Sequence, residues 1–309
     1  MPLPVPEADI VAALSAQAAA SIGDLAVAPW AQRAAAATRL LEGIHAGWWS
    51  RHLADAAAYD LDLAKLNELA EWEGEYAQVS STIRGGVTYL TPPKFFGGNT
   101  ALLREDFVLS VSLNHAMPKK DDYIDELIHL QAAATCLESH RDYFQQPYAY
   151  KFFFSARAKL LAAYADGRGH EHVEMDWRQR NTEYALYLER YPTISSKCST
   201  SAAPHDVLEE EVFVMALNAI VHRIVMGLLR PRATLLAGRA TWELLPHADP
   251  EDMSLQVRPN QGPICPVTLD SVPLLPDGPP CTVVRSNFLR TVYGPNSDAE
   301  LAAVGMLLA

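Results

Sequence analysis

Two kinds of hydrophobic pattern alternate along the chain: long stretches with apolar residues at helical spacing, and short continuous apolar runs. The alanine-rich segments Asp9–Ile22 and Trp30–Trp49 carry their leucines and isoleucines at helical spacing. Asp60–Tyr76 repeats the pattern with Leu61, Leu66 and Leu69, so the first part of the chain is expected to be helical. Turn formers in Ser80–Gly86 and Thr91–Gly98 end that pattern, which places a boundary near residue 85. The expected organisation is a helical N-terminal region, 1–85, followed by an α/β domain, 86–309.

Beyond the boundary, Val108, Leu109, Val111 and Leu113 are separated only by serines, which predicts a buried strand of a parallel sheet. Tyr123–Phe144 then reads as a long helix with one apolar side, and a second helix runs through Leu160 and Leu161. Further strands are predicted over Tyr184–Tyr191, Arg232–Gly238, Pro266–Leu269 and Cys281–Ser286. Helices are predicted over Val207–Leu229, Arg239–Leu245 and Asp298–Leu308, the last opened by Pro295 and the cap candidate Ser297. Strands alternating with helices imply right-handed crossovers, hence an α/β fold: a mostly parallel sheet with helices on both faces.

Composition narrows the function. The chain has 309 residues, of which 49% are hydrophobic, enough for one large core or two smaller ones. Its 25 basic and 37 acidic residues give a net charge of -12, so any polyanion must meet a local basic patch rather than a global field. No apolar run is expected to reach the ~18 residues of a membrane span, and the start of the sequence lacks the basic opening of a secretory signal. A cytoplasmic protein is expected. Cys136, Cys198, Cys265 and Cys281 form no C-x-x-C pair, so neither a metal cluster nor a disulfide framework is expected, and no cofactor is implied.

The candidate chemistry lies where strands end. In a parallel sheet the carboxyl ends of the strands share one edge, and loops leaving that edge surround a crevice. The first strand delivers Asn114 and His115, the second leads into Pro192–Ser201 with Ser195, Ser196 and Lys197, and the last leads into Ser286, Asn287, Phe288, Leu289 and Arg290. A phosphate loop, a G-x-G-x-x-G turn after a strand and a G-x-S-x-G elbow are all missing from the sequence. Seven aromatics fall within the twelve residues Tyr143–Phe154; they either pack a helix on the sheet or, through a ring such as Phe154, line a pocket for a flat ligand. Each of the others has a plain structural alternative too: Asn114 and His115 as helix caps, Phe288 and Leu289 as core beneath the last helix, Lys197 and Arg290 as solvated charges. Trp48 and Trp49 read as core or interface.

Phe95-Phe-Gly-Gly-Asn99, followed by Val108-Leu-Ser-Val-Ser-Leu-Asn-His115, resembles the first motif of the uracil-DNA glycosylase superfamily. There a strand ends in a pattern like G-I-N-P-G whose asparagine positions the attacking water, and Asn114 stands in that place. Ser286-Asn-Phe-Leu-Arg-Thr291 sits where the superfamily carries its second motif, a loop that pushes an apolar wedge into the duplex and contacts phosphates. Ala233–Ala240 is similar to the penultimate strand and turn in outline only. The chain departs from the pattern at His115-Ala-Met-Pro118, where Pro-Gly is usual, and at Asn287–Arg290, which lacks the histidine or proline of some branches. Glu189–Lys197 falls where the flipped base is read, yet it does not match the uracil-reading pattern. A different or larger base is consistent with these departures, including the hypermodified cytosines of phage DNA that some similar proteins excise in antiviral defence.

The resemblance thus implies a monofunctional DNA glycosylase that flips a base, cleaves its N-glycosidic bond and leaves an abasic site, with DNA as partner and no metal. The bond breaks through a transition state with positive charge on the sugar and negative charge on the departing base, so it needs an oriented water on one side and donors on the other. Asn114 would hold the water, His115 or Lys197 would donate to the base, and Phe154 would stack on it. Phe288 or Leu289 would fill the gap and Arg290 would grip a phosphate. The acidic net charge leaves two alternatives open: a non-catalytic binding module on the same fold, and a hydrolase of free nucleosides.

Overall fold

The computed structural model describes residues 7–58, 81–84, 87–90, 92–112, 133–147, 149, 151–171, 173–192, 209–244, 255–256, 266–273, 280–287, 289 and 294–309. It is an α/β structure of two compact units interleaved in sequence. One is helical and draws on Met1–Phe95, Asn114–Arg141 and Tyr191–Leu228; the other carries the main sheet and draws on Phe96–Leu113, Asp142–Arg190 and Leu229–Ala309. The helical unit therefore extends past the expected boundary near residue 85, because two later segments return to it.

The sheet unit is built on continuous apolar strands. β3 (Val108–Ser112), β4 (Ala185–Glu189), β5 (Ala233–Ala237) and β8 (Pro280–Ser286) are parallel, in the spatial order β4-β3-β5-β8. β7 (Pro266–Pro273) adds antiparallel to β8, and the two-residue β6 (Leu255–Gln256) adds antiparallel to β7, giving a mixed six-stranded sheet. Every residue of β3, β4 and β5 is buried, on both faces of the sheet, which is why these strands appear in the sequence as mostly apolar runs rather than strictly alternating ones.

Val108, Ala185, Ala233, Leu235 and Val284 share one core cluster with Leu160, Leu161 and Tyr164 of α4 (Lys151–Gly167) and Leu301, Val304 and Leu308 of α7 (Asp298–Leu308). α4 and α7 cross closely at Gly305, where a Cβ would lie 2.2 Å from the Leu160 carbonyl oxygen; only glycine allows that approach. The expected cap is present: Ser297 Oγ accepts from the Glu300 N–H and Glu300 reaches back to the Ser297 N–H, a reciprocal capping box.

Several elements differ from the pattern-based expectation. α5 (Trp177–Tyr184) has no apolar periodicity and is started instead by Asp176, whose carboxylate accepts from the N–H groups of Arg178 and Gln179. β1 (Ser81–Arg84) and β2 (Val87–Leu90) form an antiparallel hairpin where only turn formers were expected; the two residues between them in sequence are glycines. The segment expected to be a helix over Arg239–Leu245 is a 3-10 helix, Arg239–Leu244.

In the helical unit, α1 (Glu7–Asp24), α2 (Trp30–Ala58) and α6 (Glu209–Ile224, continued by a π turn Val225–Leu229) pack together, while α3 (Ala133–Arg141) lies on α2. Arg33 ties α2 to the end of the π turn by donating to the Leu228 carbonyl at 2.8 Å. Val212–Leu229 is long and apolar enough to cross a membrane by length and composition, contrary to the expectation that no run is; most of it is buried within the protein, as a core helix would be. The helix expected over Asp60–Tyr76 and the first part of the one expected over Tyr123–Phe144 lie outside the described residues.

Candidate functional site

The sheet order has one reversal. Among the parallel strands the chain enters at β3, steps to β4 on one side and crosses back to β5 on the other side of β3; it then runs to β6 at the far edge and returns through β7 to β8 beside β5. Loops leaving the carboxyl ends of β3 and β5 therefore run in opposite directions, and in open α/β sheets the crevice at such a switch point is where ligands bind. Ser112 is the last residue of β3; Asn114 and His115 follow it in sequence and lie outside the described residues, as do Ser195, Ser196, Lys197, Phe288 and Arg290.

What is described of this edge is polar and buried. The Ser112 carbonyl accepts from the Arg190 N–H at 2.8 Å, which carries the β3–β4 pairing to the end of both strands. Glu189, the last residue of β4, is 0% exposed, and the Tyr187 hydroxyl lies close to the side chains of both Glu189 and Ser112. Burial first, and the Glu189 carboxylate second, hold the Tyr187 hydroxyl well above its ordinary range, so at neutral pH it is a neutral donor. At the other side, the Ser286 carbonyl at the end of β8 accepts from the Gly238 N–H at 2.8 Å and from Trp242 Nε1 at 3.2 Å, while Ser286 Oγ donates to the Asn287 carbonyl at 2.9 Å. Beneath it, Arg285 is buried and paired with Asp270 of β7, and its Nε donates to the Trp242 carbonyl at 3.2 Å. Ser286 is thus fixed by its backbone, and half-buried Asn287 follows it.

The structure gives Phe154 and Leu289 packing roles. Leu289 is 3% exposed and belongs to the core cluster of α4 and α7, the alternative to a wedge that its position allowed; as placed, it presents no apolar surface to a duplex. Phe154 is 4% exposed and packs edge-on against Tyr143, Phe144, Phe153 and Tyr187. No ring face of Phe154 is offered to a flat ligand in this arrangement. These rings enclose Arg157, a fully buried cation that the pattern did not reveal. Its guanidinium carbon lies 4.6 Å from the centre of Phe154, 5.0 Å from Phe144 and 5.4 Å from Tyr187, within cation–π range of all three. Arg157 Nε donates to Asn181 Oδ1 at 2.6 Å, and the terminal nitrogens make no hydrogen bond among the described residues. Burial lowers the Arg157 pKa to about 9, which still leaves it charged at neutral pH.

The segment Phe96–Asn99 has a clear local role. Gly97 pairs with Tyr187 on the free side of β4, through N–H···O contacts of 2.8 and 2.9 Å, and so covers that edge strand. Gly98 follows with φ 128°, open to glycine, and a Cβ there would meet the Ala185 carbonyl at 3.3 Å. Asn99 Nδ2 then donates to Asp142 at 2.9 Å.

Sequence reasoning did not single out Tyr187 and Glu189, although an acidic residue closing an otherwise apolar strand is a readable signal. Side chains with metal-ligand chemistry come together, among the described residues, in the helical unit: His45, Cys136 and His140. Comparison with family models, with curated proteins and with solved structures returns no match.

Proposed function

We propose that the protein hydrolyses the N-glycosidic bond of a base flipped out of DNA, with a uracil-DNA glycosylase-like arrangement of its sheet unit. The observation that carries the proposal is the reversal of strand order at β3, since the strand that leads in sequence into Asn114 is the one at which an open α/β sheet gathers its ligand. Asn114 orients the water for attack at the sugar. Lys197 or His115 stabilises the negative charge on the departing base. With Leu289 in the core, the wedge falls to Phe288 and the phosphate contact to Arg290. The departures from the uracil-reading pattern favour a modified base, and excision of such a base from phage DNA would serve antiviral defence.

The net charge of -12 favours a second reading, a hydrolase of free nucleosides or a non-catalytic binding module. Incubation with uracil-containing, mismatched and phage-derived modified duplexes, followed by counting abasic sites, separates these. The proposal expects abasic sites on at least one substrate with the wild type and none with Asn114→Ala. Release of base from free nucleosides alone supports the nucleoside hydrolase, and DNA binding without any abasic site supports the binding module. Duplex binding by the active protein should weaken steeply as salt rises, because phosphate contacts release counterions.

A further inference from the structure

We propose that His45, Cys136 and His140 form a binding site for one Zn2+ ion in the helical unit, pinning α3 to α2. The site uses none of the residues given a part in base release, and it stands or falls independently of that activity. His45 comes from the middle of α2, while Cys136 and His140 sit one helical turn apart on α3, so both project from the same side of that helix. One potential ligand atom from each lies within 4.8 Å of the others, and Cys136 Sγ is 4.0 Å from His140 Nε2. In a tetrahedral site with ordinary Zn–N and Zn–S bonds, ligand atoms are roughly 3.3–3.7 Å apart, so closing this set takes a contraction of about an ångström.

The donor set is selective. A thiolate with two imidazoles suits zinc and its soft or borderline neighbours, whereas calcium and magnesium take oxygen ligands. All three residues are buried, at 3%, 0% and 2% exposure, which removes competing water and leaves the ion's charge to be met by the ligands themselves. Burial also disfavours charge on two of the metal-free ligands: it lowers the His45 pKa to about 4 and raises the Cys136 thiol to about 12. A zinc ion would displace the thiol proton and gain a thiolate. Two imidazoles and a thiolate leave a fourth position on the metal beyond the ligands named here.

Trp49 supplies the outer shell and a reporter. Its Nε1–H donates to His45 Nε2 at 3.2 Å and also interacts with Cys136. A neutral imidazole has one lone pair for use in the ring plane, so metal coordination by His45 must take it from Trp49; the indole N–H then turns to the Cys136 thiolate, as outer-shell donors to metal ligands commonly do.

The test uses the full-length protein, stripped with a chelator and titrated with Co2+ and then Zn2+. One ion per chain by native mass spectrometry is expected, with a thiolate-to-cobalt charge-transfer band, a change in tryptophan fluorescence, and displacement of cobalt by zinc. Cys136→Ser should remove the charge-transfer band, and His140→Ala should weaken binding at least tenfold. Binding with an unchanged band in Cys136→Ser, or no stoichiometric binding by the wild type, would overturn the proposal. Zinc-edge X-ray absorption on the wild type needs no variant: one sulfur with nitrogen neighbours supports the site, and a shell of light atoms without sulfur contradicts it.

Discussion

The sheet unit and the helical unit keep their polar chemistry in different places. Around the sheet, functional candidates follow strand ends in sequence, so the positions of Asn114 after β3 and Asn287 after β8 can be seen where a strand stops. In the helical unit, His45, Cys136 and His140 sit mid-helix on segments far apart in sequence, and only packing of α3 on α2 brings them together. Chemistry at a sheet edge is marked along the chain; chemistry on a helix face is marked only by tertiary contact.

The sharpest way to break that comparison is at the sheet edge itself. Asn114→Ala should lower single-turnover base release by roughly 100- to 1000-fold, the scale of losing one positioned transition-state group. Affinity for the same duplex should stay within a factor of about three, since the residue holds water rather than DNA. Parallel losses of affinity and rate would make Asn114 a binding or capping residue.

The interior of the sheet unit should behave differently, because its buried charge is structural. Asn181→Ala leaves the Arg157 guanidinium without its hydrogen-bonded partner and should cost about 3 kcal/mol, whereas Arg157→Met, which removes the charge and keeps an unbranched side chain among the rings, should cost less than about 1 kcal/mol. Urea unfolding of the two variants measures both, and equal costs would contradict the role given to Asn181.

A smaller effect appears at high pH. Tyr164 donates to the Asp106 carbonyl at 2.5 Å, and burial, with Asp106 second, raises its pKa above the ordinary 10. The unfolded chain therefore releases this proton first, and the stability that Tyr164 contributes below pH 10 is lost as the pH rises further. Tyr164→Phe should lower stability by about 1 kcal/mol at pH 7 and flatten the decline above pH 10; an unchanged slope would assign the decline to other groups. Smallest of all, Ser297→Ala removes one side of the α7 capping box and should cost about 1 kcal/mol or less at neutral pH, read as a shift in the urea midpoint.

How much of this was legible follows from what each element rests on. β3, β4 and β5 stand out because strands buried on both faces are mostly apolar, and α7 because Pro295, Ser297 and Glu300 encode its start. α5 did not, since Trp177–Tyr184 is polar throughout and is held by its Asp176 cap and by Asn181 inside the unit. The glycine pair at 85 and 86 read as a breaker because strands as short as Ser81–Arg84 and Val87–Leu90 carry little pattern of their own. Among site candidates, sequence position marked the strand ends but could not say which apolar residue after β8 turns inward; Leu289 does. The run Tyr143–Phe154 pointed to aromatic packing yet gave no sign that Arg157 was its centre, because a lone arginine on an apolar helix reads as surface. The spacing Cys136-x-x-x-His140 was available, but a search for C-x-x-C pairs passes over it, and His45 adds its ligand only in three dimensions.

The measurement that bears most directly on the functional reading is release of free base from modified duplex DNA under single-turnover conditions, followed by mass spectrometry, for the wild type and for Asn114→Ala at equal occupancy of DNA. The account predicts a modified base released with an abasic site by the wild type, and release slowed at least 100-fold by the substitution. Equal release by both proteins, or intact DNA after full binding by the wild type, would contradict it.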